Sequence, residues 1–242
     1  MSVHQFIEPD LASAAAACAR HILTQLEQAL SGNDKATFAV SGGNSPKPVF
    51  ETLARAAFDW SRVHLFFVDE RCVPPSDPQS NFGMVERIFV APARLPHRHV
   101  HRVRTELDPH RAAGQYAAEI CEVFEIGPDE TPHFDLIHLG MGPDAHTASL
   151  FPGDPLIEDR DRIAAATHVT KFNQWRVTLL PKVLLGARHT AMFAPGADKA
   201  EAMRSVLDGE FEPLVYPAQL PAHLGRGVSW FMDAAAARLL DA

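Results

Sequence analysis

The sequence predicts an α/β fold built on a mostly parallel sheet. Two runs, residues 63–68 (VHLFFV) and 134–139 (FDLIHL), are too uniformly apolar for half-exposed strands and read as strands buried on both faces. Segments with helical spacing alternate with such runs, as the crossovers of a parallel sheet require. Several runs also end in polar, glycine-containing clusters of the kind that line a ligand crevice.

In chain order, Leu11, Ala15, Cys18, Ile22, Leu26 and Leu30 mark a helix that Gly32 ends. A strand over 37–40 leads into Ser41-Gly42-Gly43-Asn44-Ser45-Pro46, and a helix follows from Pro46 to about Ala57 with Ser45 as its N-cap. The 63–68 strand runs straight into Asp69-Glu70-Arg71. A proline-rich loop reaches Asn81, and a helix continues to about Phe89. A short strand is expected over 100–103. Asp108-Pro109 opens a helix with Ala112, Tyr116, Ile120 and Phe124 on one face. The 134–139 strand leads into Gly140-Met141-Gly142-Pro143-Asp144-Ala145-His146, with His146 at the start of a helical turn. Further strands are expected over 162–166, 176–179, 190–194 and 228–231, with a helix over 198–207 and an Ala-rich helix at the end. No repeat, linker or shift in composition divides the chain, so 1–242 is expected to form a single domain.

Composition narrows the function. The 242 residues are 46% hydrophobic and carry a net charge of −8, which suits a globular protein and argues against nucleic-acid or membrane binding. No apolar run approaches the roughly 20 residues needed to span a bilayer, and the first ten residues lack a basic segment, so the expected location is the cytoplasm. Cys18, Cys72 and Cys121 form neither a metal knuckle nor a disulfide framework. Monomer or weak homo-oligomer is the expected state.

Four clusters after strands should converge on one pocket: 41–45, 69–71, 140–146 and 196–199. The Gly42-Gly43 turn before a helix suits an anion, and it equally suits an ordinary tight turn; it is neither a nucleotide P-loop nor a dinucleotide fingerprint. Asp69 and Arg71 could meet a polar substrate or form a strand-end salt bridge, and by themselves favour the salt bridge. At most two of the Asp69-Glu70-Arg71 side chains can enter a pocket together, because neighbours on a strand alternate. His146 could serve as a general base or be one more of 13 histidines. Arg176 and Lys199 could clamp a dianion with the Gly42-Gly43 loop, or lie solvated. His97, His99 and His101 would share a strand face; a solvated basic edge fits them better than a metal site, since no acidic or Cys partner stands at ligand spacing.

Together these stretches resemble the 6-phosphogluconolactonase family. The resemblance rests on SGGNSP (41–46), FFVDERCVPPSDPQSNFG (66–83), FDLIHLGMGPDAHTASLFPG (134–153), WRVTLLPKVLLGARH (175–189), GADKAEAM (196–203) and GVSWFMDAAAA (227–237). It implies a three-layer α/β/α modified Rossmann fold of the glucosamine-6-phosphate deaminase and ribose-5-phosphate isomerase type. It also implies hydrolysis of 6-phosphoglucono-δ-lactone without metal or other cofactor. By the same resemblance His146 is the base, and Gly42, Gly43, Asn44 and Ser45 line the phosphosugar pocket. Asp69, Arg71 and Asn81 contact substrate or order the pocket, while Arg176 and Lys199 hold phosphate. One departure stands out: the family usually has Gly where this chain has Ala145, which costs stability if the position needs φ > 0. Ser45 replaces a frequent Thr and keeps the hydroxyl.

The chemistry agrees with that reading. A lactone is an activated ester, and its hydrolysis needs a base, an oxyanion stabiliser (Arg71 and backbone N–H groups are candidates) and a proton for the ring oxygen. An amino-sugar phosphate deaminase or isomerase of the same fold is a rival, but its His loop typically reads on to Asn-Glu, whereas this chain reads Thr147-Ala148-Ser149-Leu150. A sugar-phosphate sensor would be expected to carry a DNA-binding segment, and none is visible.

Overall fold

The structure is a computed structural model that describes residues 3–240. The elements are β1 (His4–Glu8), α1 (Leu11–Gly32), β2 (Ala36–Val40), α2 (Lys47–Arg55), β3 (Val63–Phe67), β4 (Asp69–Arg71), α3 (Asn81–Val85), α4 (Ala91–Ala93), β5 (Val100–His101) and α5 (Pro109–Phe124). Then come β6 (Leu136–Gly140), β7 (Ala164–Val169), β8 (Gln174–Leu179), α6 (Pro181–Gly186), β9 (His189–Phe193), α7 (Ala200–Leu207), β10 (Val228–Asp233) and α8 (Ala234–Ala237).

Seven strands form one parallel sheet in the order β1-β10-β9-β6-β2-β3-β5. Alternation along the strands feeds two cores. Phe38, Val40 and Phe67 face α1 and α2; Ala39 and Phe66 face α5, α6 and α7. Both faces are covered, which gives three layers and explains why the central strands read as continuous apolar runs. From β2 the chain builds outward through β3 to β5, and from β6 it builds the other way through β9 and β10. The strand order therefore reverses between β2 and β6, where a crevice opens at the carboxyl ends.

A second, antiparallel sheet has the order β4-β8-β7. Only Val68 separates β3 from β4. Its N–H donates to Val40 in the parallel sheet and its carbonyl accepts from Leu179 at the end of β8, so the chain changes sheet within one residue. Apolar patterning does not distinguish strands of the two sheets.

Local expectations met corrections. α2 starts at Lys47 after an N-cap at Pro46, and no side chain caps it, so Ser45 is not its cap. The helix after Asn81 passes through a wide turn over Glu86–Val90 before α4. His146 lies in consecutive tight turns closed by a Thr147–Leu150 bridge, not in a helical turn, because Ala145 (φ 60°) and Ala148 (φ 52°) leave helical geometry. His97–His99 is a single 3-10 turn, so the three alternating histidines share no strand face. His101 is buried rather than solvated: its Nδ1 pairs with Glu119 on α5 and its Nε2 with His64. β1 and α6 had no counterpart in the sequence reading. Among the described residues no helix is long and apolar enough to cross a membrane.

Candidate active site

A cavity of about 220 Å³ opens at the β2–β6 crevice. Its wall includes Gly42, Gly43, Asn44, Ser45, Asp69, Arg71, His146, Arg176 and Lys199, so the four predicted clusters converge. Asn81 lies behind the wall. Its amide donates to the Asp69 carbonyl (2.9 Å) and carboxylate (3.3 Å), and its side chain fills the space beside Gly42, where a Cβ would lie 2.0 Å from Asn81 Oδ1.

The β2–α2 turn forms one end of the cavity. Gly43 adopts φ 94°, a conformation that favours glycine. The N–H groups of Gly42, Gly43, Asn44 and Ser45 find no acceptor among the described residues. Together with the uncapped start of α2 they form a patch of unpaired donors on the cavity wall suited to an anion. Lys199 ends a turn after β9 that Gly196 opens at φ 110°. Its ammonium is nearly buried and lies 3.6 Å from the exposed carboxylate of Asp198.

The floor is an ion pair. Asp69 Oδ2 accepts from Ser149 Oγ (2.7 Å) and lies 3.8 Å from the Arg176 guanidinium, with both side chains more than nine-tenths buried. Phe151 and Phe172 flank that guanidinium at 5.6 and 5.1 Å. Burial lowers the Arg176 pKa from its ordinary value, and Asp69 pulls it back up. Glu70 points away from the cavity, as strand alternation requires. Its carboxylate accepts from the N–H groups of Arg71, Asn81 and Phe82 and from Ser80, tying β4 to the start of α3. Burial pushes the Glu70 carboxyl up, and those hydrogen bonds oppose the rise. Arg71 donates to the Gln79 carbonyl (2.7 Å) and lines the cavity, with its Nε buried and unpaired.

His146 stands at the mouth. Its Nδ1 lies 2.5 Å from Asp144 Oδ1, and its ring stacks on Phe151 at 4.2 Å. With Nδ1–H donated to the carboxylate, Nε2 is left as an acceptor. The hydrogen bond from His146 holds the Asp144 carboxyl well below the usual carboxylate range, and Lys171 adds to the effect. Gly142 permits the close approach: a Cβ there would lie 2.1 Å from His146 Nδ1. Ala145 is fully buried at φ 60°, so the position does require the left-handed region that the usual glycine would occupy freely.

Asp144, Ser149, Phe151 and Lys171 were not singled out in the sequence. Only Asp144 left a signal there, a carboxylate two residues before the histidine. A wider groove of about 670 Å³ adjoins at Asp144 and Phe151; Lys171 is the one Lys or Arg on its wall, and none of the predicted site residues lines it.

A family model described as glucosamine-6-phosphate isomerases/6-phosphogluconolactonase matches residues 9–230. The chain belongs to this family. Within the glucosamine-6-phosphate isomerase/6-phosphogluconolactonase family, a 6-phosphogluconolactonase of Synechocystis sp. is 34% identical over 213 residues, covering 88% of each chain. A human 6-phosphogluconolactonase is 37% identical over 181 residues, covering 74% of this chain and 69% of its own. The crystal structure of 6-phosphogluconolactonase from Thermotoga maritima, at 30% identity, superposes with TM-score 0.83 over 96% of this chain and 100% of that one. A monomeric glucosamine-6-phosphate deaminase has TM-score 0.82 at 16% identity, a likeness of fold alone.

Proposed function

We propose that the protein hydrolyses 6-phosphoglucono-δ-lactone to 6-phosphogluconate, with His146 activating the water. It is an enzyme, a lactone hydrolase acting on a sugar phosphate. The observation that carries the mechanism is the Asp144–His146 pair at one side of a small cavity whose other walls supply cations and unpaired N–H groups.

Asp144 holds the ring so that Nε2 can take a proton from water as its oxygen attacks C1. Arg71 and nearby N–H groups meet the negative charge that develops on the carbonyl oxygen. The C1–ring oxygen bond then breaks, and the proton on Nε2 passes to the leaving ring oxygen. The new carboxylic acid ionises and releases one proton to solvent. At the far end the Gly42–Ser45 turn, Lys199 and Arg176 hold the phosphate, while Asp69 and Asn81 order that wall. The chain works as a monomer or weak homo-oligomer in the cytoplasm, and no step of this route calls on a metal or cofactor.

Acid release from freshly made lactone, above the uncatalysed rate, tests the activity. Arg176→Ala and Lys199→Ala test the clamp: kcat/KM toward the phosphorylated lactone should fall about 10- to 100-fold, a loss of roughly 1.5–3 kcal/mol for a charge-assisted contact. Activity toward unphosphorylated glucono-δ-lactone should barely change. Equal losses on both substrates would place the phosphate elsewhere.

A further inference from the structure

The β7–β8 hairpin brings two cations to two carboxylates. Arg176, on β8, meets Asp69 at the buried floor. Lys171, at the tip, sets its ammonium 3.0 Å from Asp144 Oδ2, while the other oxygen of Asp144 holds His146. The tip is one 3-10 turn, Thr170–Phe172, closed by Asn173 at φ 48°. Phe172 lies against both cations, with the Arg176 guanidinium at 5.1 Å and the Lys171 ammonium at 5.6 Å from its ring. Phe151 completes the set, edge-on to Phe172 at 5.9 Å and stacked on His146 at 4.2 Å. Contacts therefore run in a closed ring through His146, Phe151, Arg176, Phe172, Lys171 and Asp144, and back to His146.

We infer that Lys171 is a positioning residue for His146: from the hairpin tip it secures the outer oxygen of Asp144, holding the carboxylate in place and offsetting its charge. This rests on the reading of His146 as the base. Asp144 on the same loop, Asp69 and Arg71 on β4, Arg176 on β8, Lys171 at the tip and Lys199 after β9 are the charged groups facing the imidazole. The carboxylates favour its protonated form and the cations oppose it. Lys171 acts most directly, because it shares the carboxylate that the ring uses. Without it, Asp144 would stabilise the imidazolium unopposed, and the base would be lost to protonation at a higher pH.

The Lys171 side chain is 59% exposed, so the effect is modest and screened by salt. In Lys171→Met the pH midpoint of His146 protonation, followed by NMR on the substrate-free protein and assigned by its loss in His146→Ala, should rise at low salt. The difference should shrink in roughly 0.5 M salt, where screening acts over only a few ångströms. Lys171→Arg should restore the wild-type midpoint. The acid limb of kcat should move with the ring while KM changes little. An unchanged midpoint in Lys171→Met overturns the inference. A midpoint that moves while the acid limb stays put supports the Lys171 coupling and removes His146 from its role as base.

Discussion

His138 and His146 lie eight residues apart in one segment and occupy opposite environments. His138 sits on β6 with its side chain in the sheet interior, between Phe50 and Phe193, and neither ring nitrogen finds a partner. Burial pushes its imidazole down to about 4, so it stays neutral at working pH. His146 lies in the loop after the same strand, about a quarter exposed, with a carboxylate on one nitrogen and the other facing a polar cavity. Residue type and sequence neighbourhood are shared. What separates an inert imidazole from a candidate base is a partner for one nitrogen and access for the other.

The contrast is sharpest in catalysis. His146→Ala should lower kcat by roughly 10²–10⁴ with a smaller change in KM, as loss of a general base does. Near-normal kcat in a folded variant would end the assignment, and so would an equal loss on replacing His138. Asp144→Asn should come next, lowering kcat about 10- to 100-fold, because an amide can donate to Nδ1 as readily as accept and so leaves the ring tautomer undecided. With the negative charge gone, the acid limb should move to lower pH, opposite to the Lys171→Met shift. A pH-rate profile of the variant checks both.

His138 should reveal itself in stability instead. Its folded-state pKa, about 4, lies below that of an unfolded histidine, about 6.5, so the unfolded chain binds more protons in that window and stability falls as pH drops from 6.5 toward 4. His21 and His64, also pushed down to about 4, add to the fall. His138→Leu should remove one share of it, on the order of 1–3 kcal/mol near pH 4, with kcat unchanged. Denaturant titrations at pH 7 and pH 4.5 measure the difference; a variant as acid-sensitive as the wild type would show that the ring is not the buried neutral group described above.

The smallest effect concerns the residue beside His146. Ala145→Gly should relieve the left-handed backbone and stabilise the fold by about 0.5–1 kcal/mol, a rise of roughly 1–4 °C in Tm, with kcat within about twofold of wild type. A lower Tm would mean that the methyl group's packing outweighs the strain, since Ala145 is fully buried.

The sequence by itself determined most of the strand-and-helix order, though not β1, β4 or α6, together with the buried character of the central strands and the polar clusters at strand ends. Each of these is a local signal: apolar runs, 3.6-residue spacing, and glycines where the backbone must turn. The family motifs brought His146, the Gly42–Ser45 turn and Asp69-Glu70-Arg71 into view together. Tertiary structure alone decided the rest. The antiparallel sheet could not be separated from the parallel one, because β4 is three residues long and its register with β8 depends on contacts about a hundred residues apart. His101 read as solvated because its cover, Glu119 and His64, comes from other elements. Asn81 moved behind the wall because the space beside Gly42 exists only once the loops meet. Lys171 had no local mark at all. Its place beside Asp144 follows from how far the β7–β8 hairpin reaches over the crevice, a distance set by packing that no short stretch of sequence encodes.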